Sequence, residues 1–159
     1  MKKLNFIIKC GLALLLLSFY SCESWLNVTP SDRLSEEMLF NDREGFVKAL
    51  NGVYIELNTN ELYGRNLTAG ALDVMGQYYS VASSSHAFYN YGGLVYTGND
   101  EKALFDNMWQ KCYAVIACCN TIIEKCDENK AGLSPVWKGS IKGEALALRA
   151  MLHFDMLRL

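Results

Sequence analysis

Apolar residues recur at helical spacing in three separate stretches of the chain. The first stretch carries one stripe at intervals of four, three and four residues: Phe46, Leu50, Val53 and Leu57. This spacing places the stripe on one face of an amphipathic α-helix. Asn41 and Glu44 stand at the spacing of a capping box, which predicts that the helix begins at Asn41.

Two longer stripes follow in the second half of the chain. The first of them belongs to a helix predicted to begin at Asn99 or Asp100, and it alternates intervals of three and four: Trp109, Cys112, Ile116, Cys119, Ile123 and Cys126. Gly132 breaks the pattern, and Ser134 followed by Pro135 is typical of a new helix start. The last stripe consists of Trp137, Ile141, Ala145, Leu148, Leu152, Met156 and Leu159. We expect both stripes, including their tryptophans Trp109 and Trp137, to be buried.

The segment between these helical stretches has a different character. A weaker helical pattern covers residues 62–75, and from Gly76 to Asn99 no period survives. Tyrosine, serine and glycine dominate that part, and parts of it could pair as short strands. A loop this long in a compact domain is usually functional or mobile. The last two helices begin about 34 residues apart, the period of tetratricopeptide-like hairpins. The predicted fold is mostly α, with tetratricopeptide-like helix hairpins and a long tyrosine/serine/glycine-rich loop insertion.

The start of the chain has the organisation of an export signal. Three lysines, Lys2, Lys3 and Lys9, precede an uncharged, leucine-rich run of 11 residues, 10–20, whereas spanning a bilayer takes ~20 residues. The run ends at Ser21, directly before Cys22, where a lipoprotein signal peptidase would cleave. Two aromatic residues before Ser21 depart from the stricter lipoprotein pattern, and an ordinary cleaved signal is the alternative. We predict a signal peptide over 1–21, a lipid on Cys22 and a polar tether over 22–34.

Charge and cysteine spacing limit the remaining chemistry. Three lysines leave with the signal, so 12 basic and 17 acidic side chains give a net charge of about −5. No dense basic run is present, so nucleic acid is not a predicted partner. Cys112, Cys119 and Cys126 lie seven residues apart on one predicted helix, which separates their Cα atoms by about 10 Å, beyond the reach of a disulfide. Without nearby histidines or a Cys-x-x-Cys motif, we expect buried thiols and no metal or cofactor.

Three segments resemble the N-terminal part of the SusD/RagB family of outer-membrane lipoproteins. Trp25-Leu26-Asn27-Val28 with Pro30 looks like the family's aromatic-Leu-Asp-x-x-x-Pro start, with Asn27 where Asp is commoner. Residues 46–54 are similar to its first helix. The most specific segment is 142–159, which looks like the family's Gly-Glu-Ala, Leu-Arg-Ala and Phe-Asp-Leu helix through Gly143-Glu144-Ala145, Leu148-Arg149-Ala150 and Phe154-Asp155-Met156-Leu157.

This resemblance implies a nutrient-binding lipoprotein rather than an enzyme. Such proteins are anchored by lipid to the outer membrane, exposed on the cell surface, and act as a lid over a TonB-dependent, SusC-like transporter. They capture oligosaccharides, or peptides in some members, and deliver them to the transporter. A lipid-anchored helical-repeat adaptor that binds another protein and no sugar is the alternative.

Family members are usually several times longer than this chain. Residues 35–159 are therefore predicted to be the N-terminal part of a SusD-like helical domain, and the chain to be a fragment. No stop signal follows the last stripe, so we expect its side chains to lack covering partners: Leu148, Leu152, Met156 and Leu159. On that expectation, residues 22–159 alone would be marginally stable or prone to aggregate.

Capture of sugar requires flat aromatic faces for the ring and polar groups for the hydroxyls. The segment from 73 to 99 supplies both, and we predict ligand contacts from Asp73, Gln77, Tyr78, Tyr79, Tyr89, Asn90 and Tyr91. The alternative is that these tyrosines pack the loop onto the helices. Ser83-Ser84-Ser85-His86 lies in the same segment, but no Gly-x-Ser-x-Gly elbow accompanies it, so no catalytic residue is predicted.

Overall fold

A computed structural model describes residues 36–159 of the protein. Its helices are α1 (Glu36–Leu39), α2 (Arg43–Leu57), α3 (Ala71–Met75), α4 (Tyr89–Gly92), α5 (Asn99–Glu128) and α6 (Pro135–Arg158). The described part contains no strand, which confirms a mostly helical fold and removes the short strands considered for residues 76–99. The signal peptide, Cys22, the tether and the Trp25-Leu26-Asn27 motif lie outside the described residues.

Helix α2 begins one position later than its sequence predicts. Asp42 is the N-cap, and its Oδ1 accepts a hydrogen bond of 2.8 Å from the backbone N–H of Gly45. The predicted cap at Asn41 is therefore wrong, and Glu44 forms an ion pair with Lys48 one turn along instead of closing a capping box. The predicted stripe of α2 is buried as expected.

Helices α5 and α6 form an antiparallel hairpin. Near the turn, Lys142 Nζ lies 2.6 Å from Asp127 Oδ1, and further along, Cys112 Sγ lies 3.8 Å from the Leu152 carbonyl oxygen. Helix α5 ends at Glu128, and its C-cap Asn129 adopts a left-handed conformation with φ 48°. Asn129 rather than the predicted Gly132 therefore stops the helix. Ser134 caps α6 as predicted, since its side chain accepts from the Trp137 N–H.

The core lies where α2, α5 and α6 meet. On α5 the buried stripe is centred slightly to one side of the predicted one and includes Met108, Val115 and Ile122. The predicted burial of Trp109 and Trp137 is wrong, because the two residues are 41% and 43% exposed. Trp109 stacks on the ring of Tyr113 at 5.7 Å. Arg43 lies over Trp137 at 4.6 Å, a cation–π contact that suits a half-exposed ring.

The stripe of α6 is covered within the described chain. Leu148, Leu152 and Met156 are buried in the core together with residues of α2 and α5, and Leu159 is partly buried against it. The expectation that these side chains lack partners is wrong, since α2 fills the side of the hairpin that the stripe faces. The exposed apolar side chains of α6 lie on another face: Val136, Leu146, Met151, Phe154 and Leu157.

The weak helix predicted over 62–75 is mostly wrong. Only Ala71–Met75 is helical, and residues 58–70 follow a series of turns. Leu62 and Leu67 are buried in the core and anchor these turns. Gly70 allows the chain to approach itself closely, because a Cβ there would lie 2.6 Å from the Arg65 carbonyl oxygen. No helix among residues 36–159 is both long and apolar enough to cross a membrane.

The cysteines of α5 yield a direct test of the core. Cys112, Cys119 and Cys126 are buried free thiols, as predicted, whereas Cys118 is exposed. Burial raises the pKa of Cys112 and of Cys119 to about 11 and also raises the pKa of Cys126. Because the thiolate is the reactive form, an alkylating reagent in mildly alkaline buffer should modify Cys118 rapidly and the buried three slowly. Peptide mass spectrometry with and without denaturant measures this, and rapid native labelling of all four would contradict the packing.

Candidate functional site

A shallow groove separates the chain that follows α3 from helix α4 and the residues after it. We call it the tyrosine groove; it has a volume of about 400 Å³ and is lined by Gln77, Tyr79, Ser80, Val81, Tyr89, Asn90, Gly92, Gly93 and Val95. Both of its tyrosine side chains are exposed. The groove therefore brings together four of the residues predicted for ligand contact: Gln77, Tyr79, Tyr89 and Asn90.

Tyr91 has a different position from the one predicted. Its ring is 2% exposed, which does not fit the predicted direct contact with a ligand. The ring lies 6.0 Å from Phe105 on α5, 5.9 Å from Phe88 and 6.2 Å from Tyr96. Burial raises the pKa of the Tyr91 hydroxyl. This aromatic cluster fixes α4 to α5 beneath the groove.

Gln77 joins the two sides of the tyrosine groove. Its backbone is left-handed with φ 62°, a conformation that few non-glycine residues adopt. Its Nε2 donates to the carbonyl oxygens of Val74, at 3.3 Å, and Gly92, at 3.0 Å. The side chain thus ties the end of α3 to the end of α4. The residue type predicted a polar group here, but no sequence signal predicted the left-handed turn that directs it.

Glu101 is a part of the site that the sequence did not predict. It is the third residue of α5, and its side chain is only 6% exposed. Its Oε1 accepts a hydrogen bond of 2.7 Å from Asn90 Nδ2. That bond, with a further one from its own backbone N–H, lowers the pKa of the Glu101 carboxyl. Glu101 is therefore a buried, ionised hydrogen-bond acceptor behind the groove residue Asn90.

Asp73 and Tyr78 lie in a second groove, which we call the α6 groove. It also has a volume of about 400 Å³ and lies between α3 and the end of α6, lined by Leu67, Leu72, Asp73, Met75, Gly76, Tyr78, Asp155, Arg158 and Leu159. The predicted contact residues other than Tyr91 are therefore divided between the two grooves. Asp73 and Tyr78 line the α6 groove, and the other four line the tyrosine groove.

The serine and histidine run does not assemble a nucleophile. His86 is exposed, and its Nδ1 accepts a hydrogen bond from the Phe88 N–H, 3.1 Å away, within its own turn. Ser83 and Ser85 bond each other through their hydroxyls at 2.9 Å. These contacts stabilise the local turn.

Three polar residues of the segment 142–159 join α6 to three other parts of the fold. Glu144 Oε1 accepts a hydrogen bond of 2.7 Å from the Tyr54 hydroxyl on α2. Arg149 donates to Asn120 Oδ1 on α5 at 2.8 Å. Asp155 accepts from the Tyr63 hydroxyl in the turns of 58–70. Burial, and then this hydrogen bond, raise the pKa of Tyr63. The polar residues of the motif in 142–159 thus hold α6 to its neighbours through side-chain hydrogen bonds.

Comparison with known proteins shows the family to which the chain belongs. The sequence model of a SusD-like family, described as starch-binding and associating with the outer membrane, matches residues 24–159. Because the match covers most of the chain, the protein belongs to the SusD-like family, and the resemblance noted in the sequence is confirmed.

One curated relative is considerably longer than this chain. SusD-like protein P2 of Formosa agariphila is 25% identical over 162 residues, which cover 99% of this chain and 29% of that protein. The chain thus spans less than a third of the length of this relative. No solved structure matches the chain.

Proposed function

We propose that this protein binds a nutrient oligosaccharide in the tyrosine groove. The observation that supports this most directly is the presence of two exposed tyrosines and two side-chain amides around one groove, in a family described as starch-binding. Tyrosine rings stack on the apolar face of a sugar ring, and amide groups bond its hydroxyls. Asp73 and Tyr78 in the α6 groove extend the same surface for a longer chain of sugars.

The proposed setting is the outer membrane. Family membership implies association with that membrane, and we propose that a lipid on Cys22 anchors the protein at the cell surface. Two or more acyl chains on one cysteine hold a protein stably at a membrane. The bound oligosaccharide would then pass to a TonB-dependent, SusC-like transporter. No chemical change of the sugar is proposed.

Replacing one of the groove tyrosines tests the binding surface. Tyr79→Ala and Tyr89→Ala should each lower the affinity for maltoheptaose by about tenfold, because each removes one stacking face. Isothermal titration measures the dissociation constants. Tyr113→Ala is the matched control: Tyr113 is 45% exposed, close to the 42% of Tyr89, but lies on α5 outside both grooves.

The control and the two groove variants separate the possible outcomes. Unchanged affinity of Tyr113→Ala together with the loss in the groove variants would support the proposal. Equal losses in all three variants, or none, would place the sugar elsewhere.

A protein-binding adaptor is the second candidate function. It is supported by exposed aromatic and apolar side chains beside one another on the α5–α6 hairpin: Trp109, Tyr113, His153 and Leu157. An exposed apolar patch of this kind is typical of protein contact surfaces. It lies apart from the tyrosine groove, so mapping the bound sugar discriminates the two candidates.

A further inference from the structure

The direction of one amide in the tyrosine groove is fixed from beneath. Asn90 lines the groove, and its Nδ2 donates to Glu101 Oε1 at 2.7 Å. An ionised carboxylate only accepts hydrogen bonds. The nitrogen of the Asn90 amide, and not its oxygen, must therefore face Glu101. The Asn90 oxygen Oδ1 is left without a hydrogen-bond partner among residues 36–159 and is available to a ligand.

Glu101 is itself held in place. Gly98 is the N-cap of α5, and a Cβ at that position would overlap Glu101 Oε2. The carboxylate thus lies close to the backbone of Gly98, and a side chain at position 98 would require the flexible end of Glu101 to move. The first N–H groups of a helix and its dipole both favour a negative charge in the first turn. These contacts keep Glu101 ionised and close to Asn90.

Charge around the groove adds a second constraint. None of the residues that line the tyrosine groove in the described part of the chain is Lys or Arg. Arg65 lies over the Phe88 ring at 5.8 Å and is not among the lining residues. The carboxylate of Glu101 lies directly behind Asn90, so an anionic ligand would meet a like charge with no cation at the groove wall.

We propose that Glu101 is a positioning residue that holds the Asn90 amide with its oxygen toward the tyrosine groove, so that the groove selects uncharged saccharides that donate hydrogen bonds through their hydroxyls. The selectivity rests on the proposed function of the groove, whereas the positioning of Asn90 does not. Uronate-containing or sulfated polysaccharides are the ligands that the groove rejects.

The test uses the full chain and two charge-matched variants. Glu101→Gln removes the carboxylate that fixes Asn90, and Asp100→Asn removes the same charge from the adjacent, exposed position of the same helix turn. Side-chain amide signals of Asn90 in NMR spectra report its hydrogen bond without any ligand. We expect Glu101→Gln to shift these signals toward those of a solvent-exposed asparagine and to speed their exchange with water about tenfold, and Asp100→Asn to leave both unchanged. Glu101→Ala, which leaves Asn90 with no acceptor, should show the larger shift.

Binding is measured with soluble starch and with the same starch after sulfation. The wild type should bind the unmodified starch at least about tenfold more tightly, and Glu101→Gln should lose about tenfold in affinity for it while Asp100→Asn stays within about twofold. Unchanged Asn90 signals in Glu101→Gln would overturn the positioning role. Equal or tighter binding of sulfated starch would overturn the selectivity. If the wild type binds neither polysaccharide while the Asn90 signals shift as expected, the proposed function fails and the positioning role stands.

Discussion

Replacing Leu152 with alanine is expected to lower the free energy of unfolding by about 2–5 kcal/mol. Leu152 is fully buried on the stripe of α6, and its backbone carbonyl lies against Cys112 on α5. Truncation removes buried methyl groups and leaves a cavity that two long, rigid helices close only in part. Denaturation by guanidinium chloride, followed by circular dichroism, measures the change.

Leu157→Ala is the matched control on the same helix. Leu157 is 84% exposed, so its truncation should change stability by no more than about 0.5 kcal/mol. Similar losses for the two variants would mean that the exposed face of α6 is covered and that the buried stripe has been assigned to the wrong side of the helix.

Gly45→Ala should destabilise the fold by about 1–3 kcal/mol. A Cβ on Gly45 would overlap the carbonyl oxygen of Leu39, which ends α1. That neighbour is backbone and has no side-chain rotation by which to move away, so α1 must shift. The shift would also disturb the edge-to-face contact between Phe40 and Phe46, whose ring centres lie 4.8 Å apart.

The same helix contains a glycine with the opposite expectation. Gly52 has open space where its Cβ would be, so Gly52→Ala should stabilise α2 by about 0.5–1 kcal/mol through its higher helix propensity. Thermal unfolding of the two variants tests the pair together. Stabilisation by both substitutions would show that α1 does not lie against the start of α2.

The long helices were predictable because their apolar residues repeat over many turns. The predictions of burial failed where a bulky ring stands beside the buried stripe of a helix, as at Trp109. The predictions of helix ends failed where a capping residue sets the boundary, as at Asp42 and Asn129. The turns of 58–70 escaped prediction because Leu62 and Leu67 are buried by tertiary contacts rather than by a helical repeat.

For the candidate site, the sequence predicted residue types but not their arrangement. Tyr79, Tyr89 and Asn90 were predicted as ligand contacts because aromatic rings and amides suit sugars, and the structure brings them to one groove. Tyr91 was placed wrongly because only the helical turn of α4 shows that it points away from Tyr89, into the cluster with Phe105. Glu101 was missed because it belongs to another helix, and its contact with Asn90 depends on the path of the chain between them.

The central claim is that an uncharged sugar binds in the tyrosine groove. NMR chemical-shift mapping of the isotopically labelled protein with maltoheptaose tests it most directly. We predict that backbone signals change mainly at residues 77–81 and 89–95, with smaller changes in the α6 groove. Changes centred instead on Trp109, Tyr113 and Leu157, or no changes at saturating sugar, would contradict the proposal.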